Sequence, residues 1–530
     1  MKKYHLYLSI LILAHFLLFF FTGLFRHWGF LTSINDLGVF DQAIWGTLNG
    51  EFLLNTSQLN QRINWLSFHF HPILLIFLPF YLVHSSVVWL IAGQAFAISI
   101  TAWPIFLLAK RVLMSEIAAL MWAVIFLVNP FVLNAAAWDF HPITLAVPFV
   151  ALGMLAVELK NFKMLLYCSI FILLCKEHLG IMVFGFGLLW WVKNKEMKKG
   201  LILGGIGLLT FYMVLKVIMP YFSPTGEHIM LSAGIGQLSR YSWLGESVEE
   251  IIKNLILNPF DITKTVLFKM GGTTYLFALI FPFLGFSGLG WKFLLPGIAD
   301  LSTNLLSANH MPRSIIAYHS ISLIPILTVA GIYGIKNFVK YKKRLTIIEI
   351  TGMIVLLNCL LGYIFAPFPF PFAKNVWAPV SFVNLPDPKI DEIKKILKDD
   401  KSISVQANVG AHFSRRKEIY RFPNKINDAD AIILWLSTPT ENINSENNNL
   451  KKNRRFLIGI LDNHLQFDRN EFLDFVVELL ESEYFGIVYW EDPWLVLKRN
   501  VSNQFEISSV KEKINKLRND FSVAIVNSIK

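Results

Sequence analysis

The sequence predicts a mainly α-helical membrane protein that crosses a bilayer about eleven times and ends in a small α/β domain. Three observations predict it. The 530 residues are 54% hydrophobic and only 16% charged, against about 25% charged in soluble domains. Long apolar runs recur through residue 366, after which polar sequence alternates with short apolar strands. Lysine and arginine gather in short loops between the apolar runs.

Backbone groups in lipid must be satisfied within their own segment, so the apolar runs read as helices. Crossings are expected at 6–25, 86–109, 114–134, 142–159, 163–176, 179–193, 200–220, 266–290, 293–308, 315–336 and 346–366. The first run is too long for a signal-peptide core, and no small-x-small cleavage site follows it. Residues 72–83 are apolar but too short to span, and are expected to lie in or dip into the outer interface. Lys2 and Lys3, Lys110 and Arg111, Lys193 to Lys199, and Lys336 to Arg344 mark the inner side. The N-terminus is therefore expected on the cytoplasmic side of the cytoplasmic membrane, and the tail on the outer side. The same positions explain the net charge of +11 as a topology signal, and no basic, aromatic-interleaved groove speaks for nucleic acid. Cys168, Cys175 and Cys359 all lie in apolar runs, with neither a disulfide framework nor metal-ligand spacing.

The domain division follows. Residues 1–370 form the membrane module, with outer loops 26–71 and 221–265. Residues 371–379 continue the Pro/Phe run "APFPFPF" as a stiff linker, and 380–530 form the extracytoplasmic α/β domain. In that domain "KSISVQA" and "DAIILWL" read as strands and "RNEFLDFVVELLESEY" as an amphipathic helix. "FGIVYWEDPWLVLKR" reads as a hairpin turning at Glu491-Asp492-Pro493, and Asn442 to Asn453 as a polar loop. No nucleophile elbow or P-loop occurs.

The residues that could carry chemistry cluster at expected outer helix ends. Asp36 and Asp41 follow the first crossing in "SINDLGVFDQAIW". They read either as loop acids, Asp36 capping the helix "VFDQAIWGTLNG", or as carboxylates tuned by desolvation at the mouth of a bundle. "HFHPILLIFLPF", with His69 and His71, parallels "DFHPITLAVPF", with Asp139 and His141. Each phrase places proline at a helix start, where free N–H groups and the helix dipole favour a phosphate. Glu177 in "CKEHLG" stands between two short apolar runs, and ionisable groups at that depth are costly. Arg62, Arg240 and Arg313 are outer arginines whose guanidinium matches phosphate geometry. Tyr318 and His319 open a further helix in "MPRSIIAYHSISLIP".

Together "DLGVFDQAIW", "HFHPILLIFLPFY", "WDFHPITLAVPF", "CKEHLG" and "YHSISLIP" resemble a large family of prokaryotic multi-pass membrane proteins of unknown function. That family is in turn similar to the GT-C glycosyltransferases. The resemblance implies transfer of a sugar from a polyprenyl-phosphate donor to an acceptor outside the cytoplasmic membrane. It places Asp36 at the catalytic carboxylate of the first outer loop, and Asp139 where many such enzymes carry a second acid. Asp36 would act as general base. Asp139, Glu177 and His141 would orient substrate or hold a divalent metal, no other cofactor being implied. Arg62, His69, His71 and Arg313, with Tyr318 and His319 nearby, would bind and neutralise the leaving phosphate. The sequence departs from the usual Asp-Glu pair, having Asn35-Asp36, and Asp41 is the secondary acid that could replace the missing one. The alternative is a transporter, flippase or assembly scaffold, which would favour charges in mid-helix; Asp300 is the main one.

Overall fold

The structure, a computed structural model, describes residues 2–229, 240–341, 346–368, 370–373, 383–437 and 467–529. The second half of the expected linker, residues 230–239 of the second outer loop and the Asn442–Asn453 loop lie outside the described residues. The chain divides into two compact units. The first comprises Met1–Phe21, Asn64–Ile76 and Ile91–Asn375, and the second Thr22–Ile63, Phe77–Leu90 and Val376–Lys530. The division after Asn375 falls inside the expected linker, while 22–63 and 77–90 join the tail instead of the membrane module.

Among the described residues five helices are long and apolar enough to cross a membrane: Lys3–Trp28, Val88–Leu113, Met197–Phe222, Leu323–Lys340 and Ile347–Phe365. Two bent pairs bring the number to at most seven, namely Glu116–Leu127 with Pro130–Ala137 and Pro259–Lys269 with Gly272–Phe283. The expected crossings at 142–159, 163–176 and 179–193 are apolar helices of fewer than 18 residues. The one expected at 293–308 is a 3-10 stretch, Trp291–Gly297 with Pro296 inside it, and a nine-residue helix, Ile298–Leu306. The nine helical residues rise about 14 Å and the seven 3-10 residues before them about as much again, so the segment is interrupted at Pro296 instead of being one straight helix.

Local sequence sets these helices. Ser115 opens Glu116–Leu127 by accepting from the Ala118 N–H, and Thr346 with Glu349 forms a reciprocal capping box on Ile347–Phe365. The 50° bend in the first pair falls at Asn129-Pro130. There Asn129 caps the second half, and Pro130 has no N–H to continue the first.

Helices Leu179–Asn194 and Met197–Met213 pack through glycines, because only a missing Cβ lets the backbones touch. A Cβ on Gly187 would sit 2.5 Å from the Gly200 carbonyl oxygen and 2.6 Å from the Gly204 nitrogen. Both obstacles are backbone, so the helices would have to part. Gly187→Ala is therefore expected to destabilise the first unit by about 1–3 kcal/mol. Thermal melting in detergent checks this, and an unchanged midpoint would refute the close packing.

The second unit is built on a five-stranded mixed sheet. Its strands are β1 (Ser402–Val405), β2 (Glu418–Arg421), β3 (Ala431–Trp435), β4 (Phe485–Glu491) and β5 (Trp494–Arg499), in the order β2-β1-β3-β5-β4. β1 pairs parallel with β2 and β3, and the β4–β5 hairpin adds antiparallel to β3. β3 alternates, as a strand must. Ile432 and Leu434 join one core with Phe472 and Val476 of helix Arg469–Glu481 and with Val510 and Ile514 of helix Ile507–Ile529. Ile433 and Trp435 join the other, with Ile390 and Ile393 of helix Lys389–Ile396.

This second core also contains Phe30 and Ile34. The Ile34 N–H donates to the Ala407 carbonyl at 2.9 Å. Gly410 admits the Ile34 side chain, since a Cβ there would lie 2.7 Å from the Ile34 Cβ. The segment after the first helix is thus part of the α/β unit's core.

Candidate functional site

In the first unit the two phrases "HFHP" and "CKEHLG" meet. A 3-10 turn, Trp65–Ser67, starts where the Asn64 side chain accepts from the Leu66 N–H. The chain then extends through His69 and His71 to the 3-10 helix Pro72–Phe77. The Ile73 N–H donates to the Leu174 carbonyl at 3.0 Å, which ties this segment to the end of helix Phe162–Leu173. Lys176, Glu177 and His178 follow in the turn before Leu179.

The Glu177 carboxylate spans two groups. Oε1 lies 3.0 Å from His69 Nδ1, and Oε2 accepts the Phe70 N–H at 3.1 Å. A carboxylate at Nδ1 puts the proton of the neutral ring there and leaves the lone pair on Nε2. Among the described residues no donor reaches that Nε2. The neighbouring ring, 5.2 Å away and nearly parallel, is fixed in the other tautomer. Trp65 Nε1–H donates to His71 Nδ1 at 3.0 Å, so the neutral His71 ring carries its proton on Nε2. The site therefore pairs a proton-accepting imidazole with a proton-donating one.

Burial pushes the His69 ring below its usual range, with Glu177 pulling the other way. For Glu177 burial works against the charge, but His69 and Lys176 outweigh it and hold the carboxyl well below its usual range. Lys176 and Arg240 are both close enough to act electrostatically on His69. Among the described residues the Lys176 ammonium makes no hydrogen bond or ion pair, its charge being felt by Glu177 and Asp300 nearby.

The rest of the expected set in this unit surrounds these groups. His141 and His319 are electrostatic neighbours, and His319 also feels Lys176, Arg240 and His178. His141 stacks on Tyr318 at 3.6 Å and bonds to the backbone carbonyl of the buried Asp139 at 2.9 Å. Gln94 builds this turn, accepting the His141 N–H at 3.0 Å and donating to the Trp138 carbonyl at 2.7 Å. Asp300 is buried and held on both oxygens, by His178 at 2.6 Å and Ser322 at 3.0 Å. Arg313 turns Nη1 onto the carbonyls of Asn304, Leu305 and Ser307, closing the end of helix Ile298–Leu306.

His69, His71 and Glu177 each bring a possible ligand atom within 4.8 Å of the others. The residues as bonded do not fit a metal. His71 spends its Nδ1 lone pair on Trp65 and keeps a proton on Nε2, so two ligands remain where structural and catalytic sites use three or four.

Asp36, Asp41 and Arg62 fall in the second unit. Asp36 sits in a π-helical turn, Ile34–Gly38, that is capped by Ser33. The following helix, Val39–Leu48, has Gly38 at its N-cap and no side-chain cap, so Asp36 is not the cap that the sequence allowed. Asp36 pulls on Arg421, whose guanidinium burial pushes down to about 10. Asp41 is fully buried, accepting from Tyr81 Oη at 2.7 Å and Ser414 Oγ at 2.5 Å, with Arg415 at 3.7 Å. Burial pushes its carboxyl up against the pull of Arg415, Ser414 and Tyr81. Arg62 pairs with Glu51 at 2.5 Å.

Lys176, His178 and Gln94 were not singled out from sequence. Lys176 lies inside the "CKEHLG" phrase, and its position beside Glu177 was the available signal. Gln94 gave none, being one polar residue in an apolar run.

A family model described as a predicted membrane protein, DUF2079, matches residues 26–457. No curated protein matches the chain.

Proposed function

The chain belongs to the DUF2079 family of predicted membrane proteins, and from that premise we propose that it is a membrane transferase moving a glycosyl group from a polyprenyl-phosphate donor to a hydroxyl acceptor. One observation carries this reading: the Glu177–His69 pair stands beside two cations, Lys176 and Arg240. Lys176 and Arg240 hold the donor's phosphate. His69 Nε2 takes the acceptor's proton as the hydroxyl oxygen bonds to the anomeric carbon. The anomeric carbon–oxygen bond breaks, and its electron pair leaves with the phosphate. Glu177 stabilises the imidazolium that forms. The phosphate rests on the cations; the sugar rests on the sequence resemblance. The side bias of the basic loops supports an outward-facing site.

A second reading has its own support. The buried Asp300–His178 pair is the kind of intramembrane charge that a carrier uses, so the same pocket would move a lipid phosphate without chemistry. Proteoliposomes holding the full chain and a radiolabelled polyprenyl-phosphate sugar separate the two. Label passing to a water-soluble or lipid acceptor supports the transferase. Label that crosses the bilayer with its phosphate bond intact overturns it in favour of the carrier.

A further inference from the structure

The second unit contains a cavity of about 1090 Å³ that the transferase reading does not use. It is large enough for a small-molecule headgroup, such sites spanning roughly 300–1,000 Å³. Seven cationic side chains and four carboxylates line it. Two of the carboxylates are paired: Asp400 with Lys498 at 3.0 Å, outside the lining, and Asp391 with Lys394, inside it, at 3.7 Å. Lys398, Lys401 and Lys417, by contrast, make no side-chain hydrogen bond or ion pair among the described residues. Deeper in, among the described residues, the Arg416 guanidinium hydrogen-bonds only to backbone carbonyls, those of Phe413 at 3.2 Å and Asp400 at 3.5 Å. Burial pushes it down to about 10, against the pull of Asp400 and Asp430.

One wall of the cavity is different. It is formed by His84, Ser85 and Ser86, which follow the short helix Leu78–Val83. Arg415 fixes this wall by donating to the Ser85 carbonyl. On the helix Leu82 is 72% exposed and Val83 83% exposed, and Phe80 is exposed with them. A concave surface with excess positive charge therefore opens beside an apolar edge. Positive charge alone would suit any soluble anion. The adjoining apolar edge suits an anion that carries hydrocarbon.

We propose that this cavity binds the phosphate or diphosphate head of a lipid, with Lys398, Lys401, Lys417 and Arg416 on the phosphoryl oxygens and Leu82 and Val83 against the chain. It is a second phosphoryl site, and it stands whether or not the first unit transfers sugar.

The test uses the full chain in phosphatidylcholine nanodiscs with two probes. Inorganic pyrophosphate is titrated by calorimetry, and phosphatidic acid mixed into the disc is read by native mass spectrometry. The triple variant Lys398→Gln, Lys401→Gln, Lys417→Gln changes exposed side chains only and should fold. It should weaken both probes by about ten-fold or more, since charge-assisted contacts are lost. Leu82→Ser with Val83→Ser should weaken phosphatidic acid and leave pyrophosphate unchanged. Lys253→Gln, an exposed lysine of the other unit, should change neither. Pyrophosphate binding with no retention of phosphatidic acid would assign the cavity to free phosphate and overturn the lipid. Full binding of both probes by the triple variant, or an equal loss in Lys253→Gln, would overturn the site.

Discussion

Glu177→Gln is expected to lower turnover by about 10²–10⁴-fold, the contribution of a positioned base. Glutamine keeps the shape and can still accept the Phe70 N–H that Glu177 accepts at 3.1 Å. What it loses is the charge opposite His69 Nδ1, which fixes the tautomer and stabilises the protonated ring. His69→Gln should fall by a similar factor, and the double variant little further, because the two act as one unit. The pH profile separates this from a mere staple. The His69 pKa is already held below about 6.5, so the neutral ring is the base at neutral pH. Turnover should be flat there and fall as the pH drops through that lowered value. Glu177 is what pulls the value upward, so in residual Glu177→Gln activity the acid limb should shift to still lower pH. Wild-type turnover in Glu177→Gln would reduce the carboxylate to a clamp on Phe70. A collapse confined to Asp36→Asn would return the base to the acid favoured by the sequence resemblance.

The physics of the chain explains which features were legible. "HFHP" and "CKEHLG" stood out because charge and imidazole next to apolar helices are costly wherever they occur. The strands "KSISVQA" and "DAIILWL" and the closing hairpin carried apolar, β-branched runs and a turn, and they formed as expected. β2 escaped notice because "EIYR" is four residues long and half polar. The span count was less legible. A helix buried among other helices is apolar all round, as is one that faces lipid, so composition alone cannot separate them. Leu179–Asn194 has nine buried residues and sixteen in all, and its glycines serve a neighbouring helix. The hardest feature was the place of Phe30 and Ile34. They are two apolar residues in a polar loop, nearly 400 positions before the strands they pack against. No local period announces such a contact; it exists only once the sheet is formed.

That long-range closure makes Asp41→Ala the substitution with the largest expected effect on stability. The carboxylate joins three distant stretches of the second unit: its own helix Val39–Leu48, Tyr81 of Leu78–Val83, and Ser414 with Arg415 before β2. Alanine leaves the buried Tyr81 and Ser414 hydroxyls without this acceptor and Arg415 without its counter-charge. Breaking a buried pair from one side costs about 3–5 kcal/mol. Arg415 is 30% exposed and can turn toward water, which argues for the lower end, about 3 kcal/mol. Asp41→Asn keeps one accepting oxygen and should cost less, about 1–3 kcal/mol. Hydrogen exchange should show the loss directly, with faster exchange along 39–48 and around Ser414, and none around His69 and Glu177 in the first unit. Turnover per folded molecule should hold while the folded fraction falls. An Asp41→Ala protein that melts like wild type but no longer turns over would reverse the assignment, and would make Asp41 the acid that takes the place of the one missing beside Asp36.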